Sequence, residues 1–177
     1  MLNLPIRFLR ATRGLAAVEF ALLAPVLAVL LMGTIELCNA LQCRQKVTSE
    51  TSSVADLVAQ ASTVSNADLT NIFNAGNSIL YPFPAGNVTV VVSSIINLPN
   101  GQNVVDWSVP YNGGTPLQPN TQMTVPTGVI SAGGSAIYVQ VSYNYLSPIG
   151  NFIIGTINMS DTFYARPRSV PKVTYTG

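Results

Sequence analysis

The sequence predicts an α+β protein in which a long N-terminal transmembrane and stalk helix packs on a small antiparallel sheet of about four strands. Two observations lead to this fold class. From Leu15 to Ile35 the chain is strongly apolar and carries one charged residue, Glu19. From about residue 87 the apolar residues alternate with polar ones instead, which is typical of β-strands. The chain has 177 residues, enough for one domain beyond the helix.

The apolar stretch is long enough to cross a lipid bilayer. Its residues rise about 1.5 Å each, so the stretch from Leu15 to Ile35 reaches about 31 Å, the thickness of a hydrocarbon core. We therefore predict a transmembrane helix over residues 15–37. Ionisable residues inside such a span are costly and usually functional, so the presence of Glu19 requires an explanation.

The charges on either side of the span predict its orientation. Three arginines precede it, and only two basic residues follow it closely; they are Arg7, Arg10 and Arg13 before it and Arg44 and Lys46 after it. The excess of positive charge keeps the preceding loop in the cytoplasm. We predict a cytoplasmic basic leader over residues 1–14 and an exported remainder, which in a bacterial inner membrane lies in the periplasm.

Cleavage after Gly14 would explain why a carboxylate is tolerated at Glu19. Leu15 would then carry a free α-amino group, four residues from the carboxylate of Glu19. In a bundle of subunits, the carboxylate of one copy could pair with the amine of its neighbour, which compensates both buried charges and sets the axial stagger. An uncleaved single-pass anchor is the alternative, and it leaves the acid unexplained.

Residues 13–25, RGLAAVEFALLAP, resemble the N-terminal signature of the TadE-like family, the pseudopilins of the tight-adherence (Tad/Flp) pilus system. The resemblance implies a pilin-like fold and cleavage by a prepilin peptidase. It also assigns roles along the segment: processing at Gly14 and Leu15, subunit registration at Glu19 and Phe20, and a helix kink at Pro25. The chain after the glycine is much longer than a major pilin of that system, which favours the accessory class.

The resemblance implies a minor pseudopilin that takes part in assembling an adhesive Tad/Flp-type pilus. Its implied partners are the lipid bilayer, the prepilin peptidase, other pilus subunits and the assembly-platform proteins. The implied location is the bacterial inner membrane, and incorporation into an extracellular pilus stays open. The alternative function is that of an uncleaved membrane protein whose exported head binds an envelope component.

The composition argues against other functions. The chain contains no histidine, which removes the common catalytic triads and most zinc-ligand sets. The net charge of +1 gives no basic stripe for nucleic acid. The acids beyond Glu19 are scattered along the chain: Glu36, Glu50, Asp56, Asp68, Asp106 and Asp161. We therefore predict no enzyme activity, no metal, no cofactor and no nucleic-acid partner.

A helical stalk over residues 38–64 is predicted to continue the membrane span, so that the first helix runs from about Leu15 to Thr63. Its apolar residues Val47, Val54 and Val58 share one face. This face could pack against other subunits, but packing on the protein's own sheet is the better interpretation. Cys38 and Cys43 lie five residues apart, so their Cα atoms in a helix are about 8–9 Å apart, too far for a disulfide. We interpret them as small apolar residues, with a bridge between chains as the alternative.

The exported head is predicted over residues 65–177. Ser65 or Asn66 can cap a second helix, Asp68 suits its first turn, and residues 81–84 end it. Two strands form a hairpin around residues 98–101, and a long loop covers residues 110–134. Trp107 in the hairpin is better explained as a core residue than as a binding aromatic.

The last two strands are predicted at residues 136–146 and 156–166. The final strand is expected to turn Ile157, Met159 and Phe163 inward, and residues 148–154 form a short helix or an apolar loop. Arg166 and Arg168 follow this strand. A solvated chain end and a partner-docking role explain these two arginines equally well.

Overall fold

The computed structural model describes residues 14–147 and 155–177. The α-helices and strands of these residues are, in order, α1 (Leu15–Gln60), β1 (Thr63–Val64), α2 (Asn66–Ile79), β2 (Val88–Asn97), β3 (Asn103–Tyr111), β4 (Ser135–Leu146), β5 (Thr156–Ala165) and β6 (Thr174–Tyr175), with a short 3-10 helix at Ala85–Asn87 before β2. The leader arginines Arg7, Arg10 and Arg13 and the segment 148–154 lie outside the described residues. The predicted α+β class is confirmed.

The main sheet has four antiparallel strands in the order β3-β2-β4-β5. The predicted hairpin is β2–β3, with a register shift between Ser94 and Ile95. The sequence did not predict the parallel pair of β1 and β6, in which Thr63 faces Thr174. This pair brings the segment after β5 back to the end of α1.

Helix α1 is continuous for 46 residues and passes through Pro25 without interruption. It ends at Gln60, three residues earlier than predicted, because Ala61 adopts an extended backbone (φ −77°, ψ 148°) that leads into β1. A kink at Pro25 stays a prediction. So does a boundary between span and stalk near residue 37, which no helix break marks.

The second half of α1 packs on the inner face of the sheet, as the preferred interpretation of its apolar stripe predicted. Its buried residues are Cys43, Val47, Glu50, Thr51, Val54, Ala55, Val58 and Ala59. The facing residues of the central strand β4 are all buried: Ile137, Val139, Val141, Tyr143 and Tyr145. Both cysteines are free, Cys43 buried and Cys38 exposed.

Helix α2 has Ser65 as its N-cap, one of the two caps that the sequence predicted, and the structure adds a capping box there. The Ser65 hydroxyl accepts from the Asp68 N–H at 3.2 Å, and the Asp68 carboxylate accepts from the Ser65 N–H at 2.9 Å. Hydrogen bonds from the Ser65 hydroxyl and then from its backbone hold the pKa of Asp68 below the usual value. At the other end, the Lys46 ammonium donates to the Ile79 carbonyl at 3.0 Å, which suits the negative end of a helix.

Two arginines after β5 connect this end of the chain to the long loop and to α1. Arg166 donates to the carbonyls of Gly128 and Val129 in the long loop, and Arg168 forms an ion pair with Asp56 on α1. The structure thus gives both residues contacts that neither earlier explanation foresaw. Trp107 is a core residue, as predicted; it is 8% exposed and its indole N–H donates to the Val173 carbonyl at 3.0 Å.

The expected burial of Phe163 is wrong. Met159 is buried at 6% exposure, but Phe163 is 43% exposed. The two side chains share a face of β5, but β5 is an edge strand, and no further strand of the described chain pairs with its free side. Edge positions of a sheet are covered less completely than central ones, which alternation in sequence does not reveal.

The contact between α1 and α2 yields a first prediction. A Cβ added at Gly76 would lie 2.8 Å from Cγ2 of Val54 and 3.3 Å from Cγ of Glu50. We expect Gly76→Ala to destabilise the head by about 1–2 kcal/mol, because overpacking outweighs the gain in helix propensity. Urea unfolding in detergent measures this. Gly86→Ala is the control, since nothing lies within 4 Å of its Cβ position; equal effects of both changes would contradict the packing argument.

Candidate functional site in the N-terminal helix

The predicted processing bond coincides with the start of α1. Leu15 is the first helical residue, and Gly14 precedes it as the N-cap with φ −97° and ψ −8° and no side-chain capping hydrogen bond. No atom of the described chain lies within 4 Å of the position a Cβ would take on Gly14. The Gly14–Leu15 peptide is therefore not shielded by the described part of the chain.

The N-terminal part of α1 is not covered by any other part of the described chain. None of its residues from Leu15 to Ile35 is buried, and the larger apolar ones are widely exposed. These are Leu15, Val18, Phe20, Leu22, Leu23, Val26, Leu27, Val29, Leu30, Leu31, Met32 and Ile35, with Phe20 at 68% exposure. The helix is long and apolar enough to cross a membrane. A surface of this kind requires lipid or another apolar partner.

Glu19 lies on this bare segment, one turn into the helix. All seven acids of the sequence fall within residues 14–147 and 155–177, so their partners can be compared. Five of them contact another side chain: Glu36 with Tyr145, Asp56 with Arg168, Asp68 with Ser65, Asp106 with Lys172 and Asp161 with Thr48. Glu50 is buried. Among the described residues, Glu19 is thus the one acid that is exposed and has no protein partner.

Glu36 marks the membrane-proximal end of the head. Its Oε1 accepts a hydrogen bond from the Tyr145 hydroxyl at 2.9 Å, and its Oε2 is buried with no hydrogen-bond partner in the described chain. Burial, followed by the hydrogen bond to Glu36, raises the pKa of Tyr145 to about 12, so this tyrosine remains a donor at physiological pH. The bond ties β4 to α1 at the last turn of the predicted span.

Glu50 lies in the core between α1 and α2. It is 0% exposed, and neither carboxylate oxygen has a hydrogen-bond partner in the described chain. Burial raises its pKa to about 7, since the ionised form would lose its hydration without gaining a partner. Lys46, one turn away, donates to Ile79 instead. Burial also raises the pKa of the neighbouring Cys43 to about 11, so that thiol is not reactive.

The sequence did not single out these two acids, yet a signal was present. Glu36 and Glu50 continue the buried stripe of α1 at helical spacing, through Ala40, Cys43, Val47 and Val54. A carboxylate in such a stripe is placed on the core side of the helix. Of the predicted site residues, the structure brings Gly14, Leu15, Glu19, Phe20 and Pro25 together only as neighbours along one exposed helix.

The structure thus defines a class. A single helix that is apolar and uncovered in its first half and packed under a four-stranded sheet in its second half is the architecture of a single-pass, membrane-anchored α+β protein. The orientation of that span stays a prediction.

The family model described as TadE-like protein matches residues 14–56, from the predicted processing glycine to Asp56 on α1. The resemblance to the TadE-like family is thereby confirmed over this segment. The match indicates a protein associated with the Tad pilus that carries an N-terminal apolar helix. No curated protein and no solved structure matches the chain.

The buried carboxyl group of Glu50 leads to a prediction about how the stability of the protein depends on pH. Its pKa is raised from 4.5 to about 7 on folding, so the unfolded chain releases this proton first as the pH rises. The stability of the folded state therefore falls between these two pH values, by about 3 kcal/mol from this group, and does not fall further above them. In Glu50→Gln this decline should disappear. Urea titrations across that range check it; parallel pH profiles of the two proteins would contradict the assignment.

Proposed function

We propose that this protein is a minor pseudopilin that takes part in assembling a Tad/Flp-type adhesive pilus, after a prepilin peptidase cleaves it at the Gly14–Leu15 bond. The observation that carries the proposal is the position of Glu19. It is exposed, lacks a partner among the described residues, and lies on an apolar helix segment that the head leaves uncovered.

The energetics favour a charged partner from a second subunit. A carboxylate inside a bilayer is expensive unless it is paired. The arginines of the leader would be removed by processing, and the remaining basic residues of the chain are at Arg44 or beyond. The α-amino group that cleavage creates on Leu15 is the charge that a neighbouring copy can offer at the same membrane depth.

Helix geometry then sets the stagger between subunits. Leu15 and Glu19 are separated by four residues, which corresponds to about 6 Å along the helix axis. Pairing the amine of one copy with the carboxylate of the next shifts neighbouring helices by about one turn. Phe20 is exposed beside this pair and supplies apolar contact to the neighbouring helix.

Pro25 supports the same model. It lacks an N–H, so the carbonyl of Ala21 loses its helical hydrogen bond, which is where helices in membranes bend. A bend there would let the first turns of α1 adjust to neighbouring helices while the stalk remains fixed to the head. The proposed partners are the bilayer, the prepilin peptidase, other pilus subunits and the assembly-platform proteins. The proposed orientation leaves the leader in the cytoplasm and the head in the periplasm of the inner membrane.

Processing is the first test. The full chain is produced in a bacterial membrane with and without a Tad-type prepilin peptidase, and the mass of its N-terminal peptide is measured. We expect the chain to begin at Leu15 only when the peptidase is present, and Gly14→Leu to block the cut. A chain that keeps Met1 in the presence of an active peptidase would favour the alternative, an uncleaved membrane protein whose head binds an envelope component.

Glu19→Ala tests the pairing of subunits. We expect helix-to-helix cross-links between processed copies to fall about tenfold or more, because one charge is left unpaired. The urea stability of the head should stay unchanged, since Glu19 contacts nothing in it. Leu23→Ala is the matched control, one turn further along the same face, and should lower the cross-links much less. Equal loss in the two variants would refute a specific role for the carboxylate.

A further inference from the structure

A cleft of about 390 Å³ opens between α1 and the head, just beyond the predicted membrane span. Its walls come from the turn of α1 that carries Asn39 and Gln42, from the segment Pro82–Pro84, and from the end of β4 around Tyr145. The volume falls within the range of about 300–1,000 Å³ found for small-ligand sites. The residues of this cleft take no part in the proposed cleavage after Gly14 or in the proposed pairing of subunits through Glu19.

Two carboxamide side chains of α1 line the cleft without a hydrogen-bond partner among the described residues. Asn39 and Gln42 are three residues apart on α1 and therefore on one face of the helix. Both line the cleft, and neither side chain makes a hydrogen bond to a described residue. Each carboxamide offers two N–H donors and an acceptor oxygen. The helix thus presents a pair of groups that can donate and accept at the same time.

Aromatic rings form another part of the lining. The ring of Phe83 packs edge-on against that of Tyr145, with the centroids 6.1 Å apart. The hydroxyls of the two lining tyrosines are already engaged, that of Tyr145 with Glu36 and that of Tyr143 with the Pro84 carbonyl. What this wall offers to a ligand is therefore mainly the apolar surface of its rings.

The cleft carries no formal charge. None of the described residues that line it is a lysine, an arginine or an acid. A charged ligand would lose hydration there without gaining a counter-charge, which costs free energy. The ligand that matches a lining of free carboxamides and aromatic rings is neutral, rich in hydroxyls that donate and accept, and apolar on its C–H faces.

An extended peptide fits this cleft poorly. Strand β4, which contributes Tyr143 and Tyr145, is paired on both sides, with β2 and with β5, so it offers no free edge to a peptide backbone. Pro82 and Pro84, which also line the cleft, have no N–H to donate.

From these observations we propose that the cleft binds a neutral sugar ring, as the headgroup of a membrane glycolipid or as a unit of a soluble glycan. The ring's C–H face packs on Phe83, and its hydroxyls bond with Asn39 and Gln42. The place of the cleft, one turn beyond the predicted span, presents it to sugars at the outer surface of the membrane. The site does not rest on the proposed role in pilus assembly, because processed and unprocessed chains contain the same cleft.

A second polar cleft provides the matched control. It has a volume of about 270 Å³ and lies on the other face of the sheet, where Thr89, Gln140 and Ser142 line it together with the glycines at the start of the long loop. It contains carboxamide and hydroxyl groups but no aromatic ring. If amide groups alone were sufficient, Gln140 would matter as much as Asn39 and Gln42.

The test uses the full chain in phosphatidylcholine nanodiscs. One arm measures saturation transfer by NMR to soluble galactose, glucose and N-acetylglucosamine, with glucuronic acid and glucosamine as charged counterparts. The other arm compares Tm in nanodiscs with and without monogalactosyl diacylglycerol, since a bound ligand raises Tm. We expect a neutral sugar to bind in at least one arm; binding in the second arm alone identifies a lipid headgroup as the source.

The variants decide where the sugar binds. Asn39→Ala/Gln42→Ala and, separately, Phe83→Leu should each weaken binding about tenfold, and Gln140→Ala should leave it unchanged. The two carboxamides lie outside the core, so the double variant should unfold at the same urea concentration as the original chain. No neutral sugar bound in either arm, binding that survives the double variant, or binding lost in Gln140→Ala would each overturn the proposal. Preferential binding of a charged sugar would do so as well.

Discussion

The structure depends on one constraint: a single continuous helix must be stable in two different environments. The sheet covers only the second half of α1, and the buried stripe from Cys43 to Ala59 supplies most of that contact. The first half remains apolar and exposed, so it is stable only in lipid or among other helices. The hydrogen bond between Glu36 and Tyr145 lies at the boundary between the exposed half and the covered half of α1, and it fixes the head to the helix there.

Two acids on this helix show opposite ways of tolerating a carboxylate away from water. Glu50 has no ionic partner, and burial keeps it protonated up to about pH 7, so it behaves as a polar but neutral core residue. Glu19 is exposed and has no hydrogen-bond or ionic partner among the described residues. In the proposed assembly its charge is compensated by the α-amino group of a neighbouring copy, because an unpaired carboxylate within a bilayer is costly.

Most of the fold followed from periodicity. The apolar run predicted α1, a cap at Ser65 or Asn66 with Asp68 in the first turn predicted the start of α2, and the alternation of apolar and polar residues predicted β4. Pairings between distant segments could not be predicted in this way, because β1 and β6 are two residues long and leave no pattern. Of the candidate site, the helical positions were predictable, whereas the cleft beside Asn39 depends on how the chain folds back after α2.

The parallel pair of β1 and β6 has a consequence for the order of events in biosynthesis. The N–H of Thr176 reaches the carbonyl of Val64 at 3.0 Å, and Trp107 finds its acceptor only at Val173. A ribosome makes these partners after all four strands of the main sheet. Until residues 173–176 have been made, the indole N–H and the end of β1 lack the partners that they have in the folded chain and are hydrogen-bonded to water instead. The pairing of β1 with β6 is therefore a late step in the folding of the head.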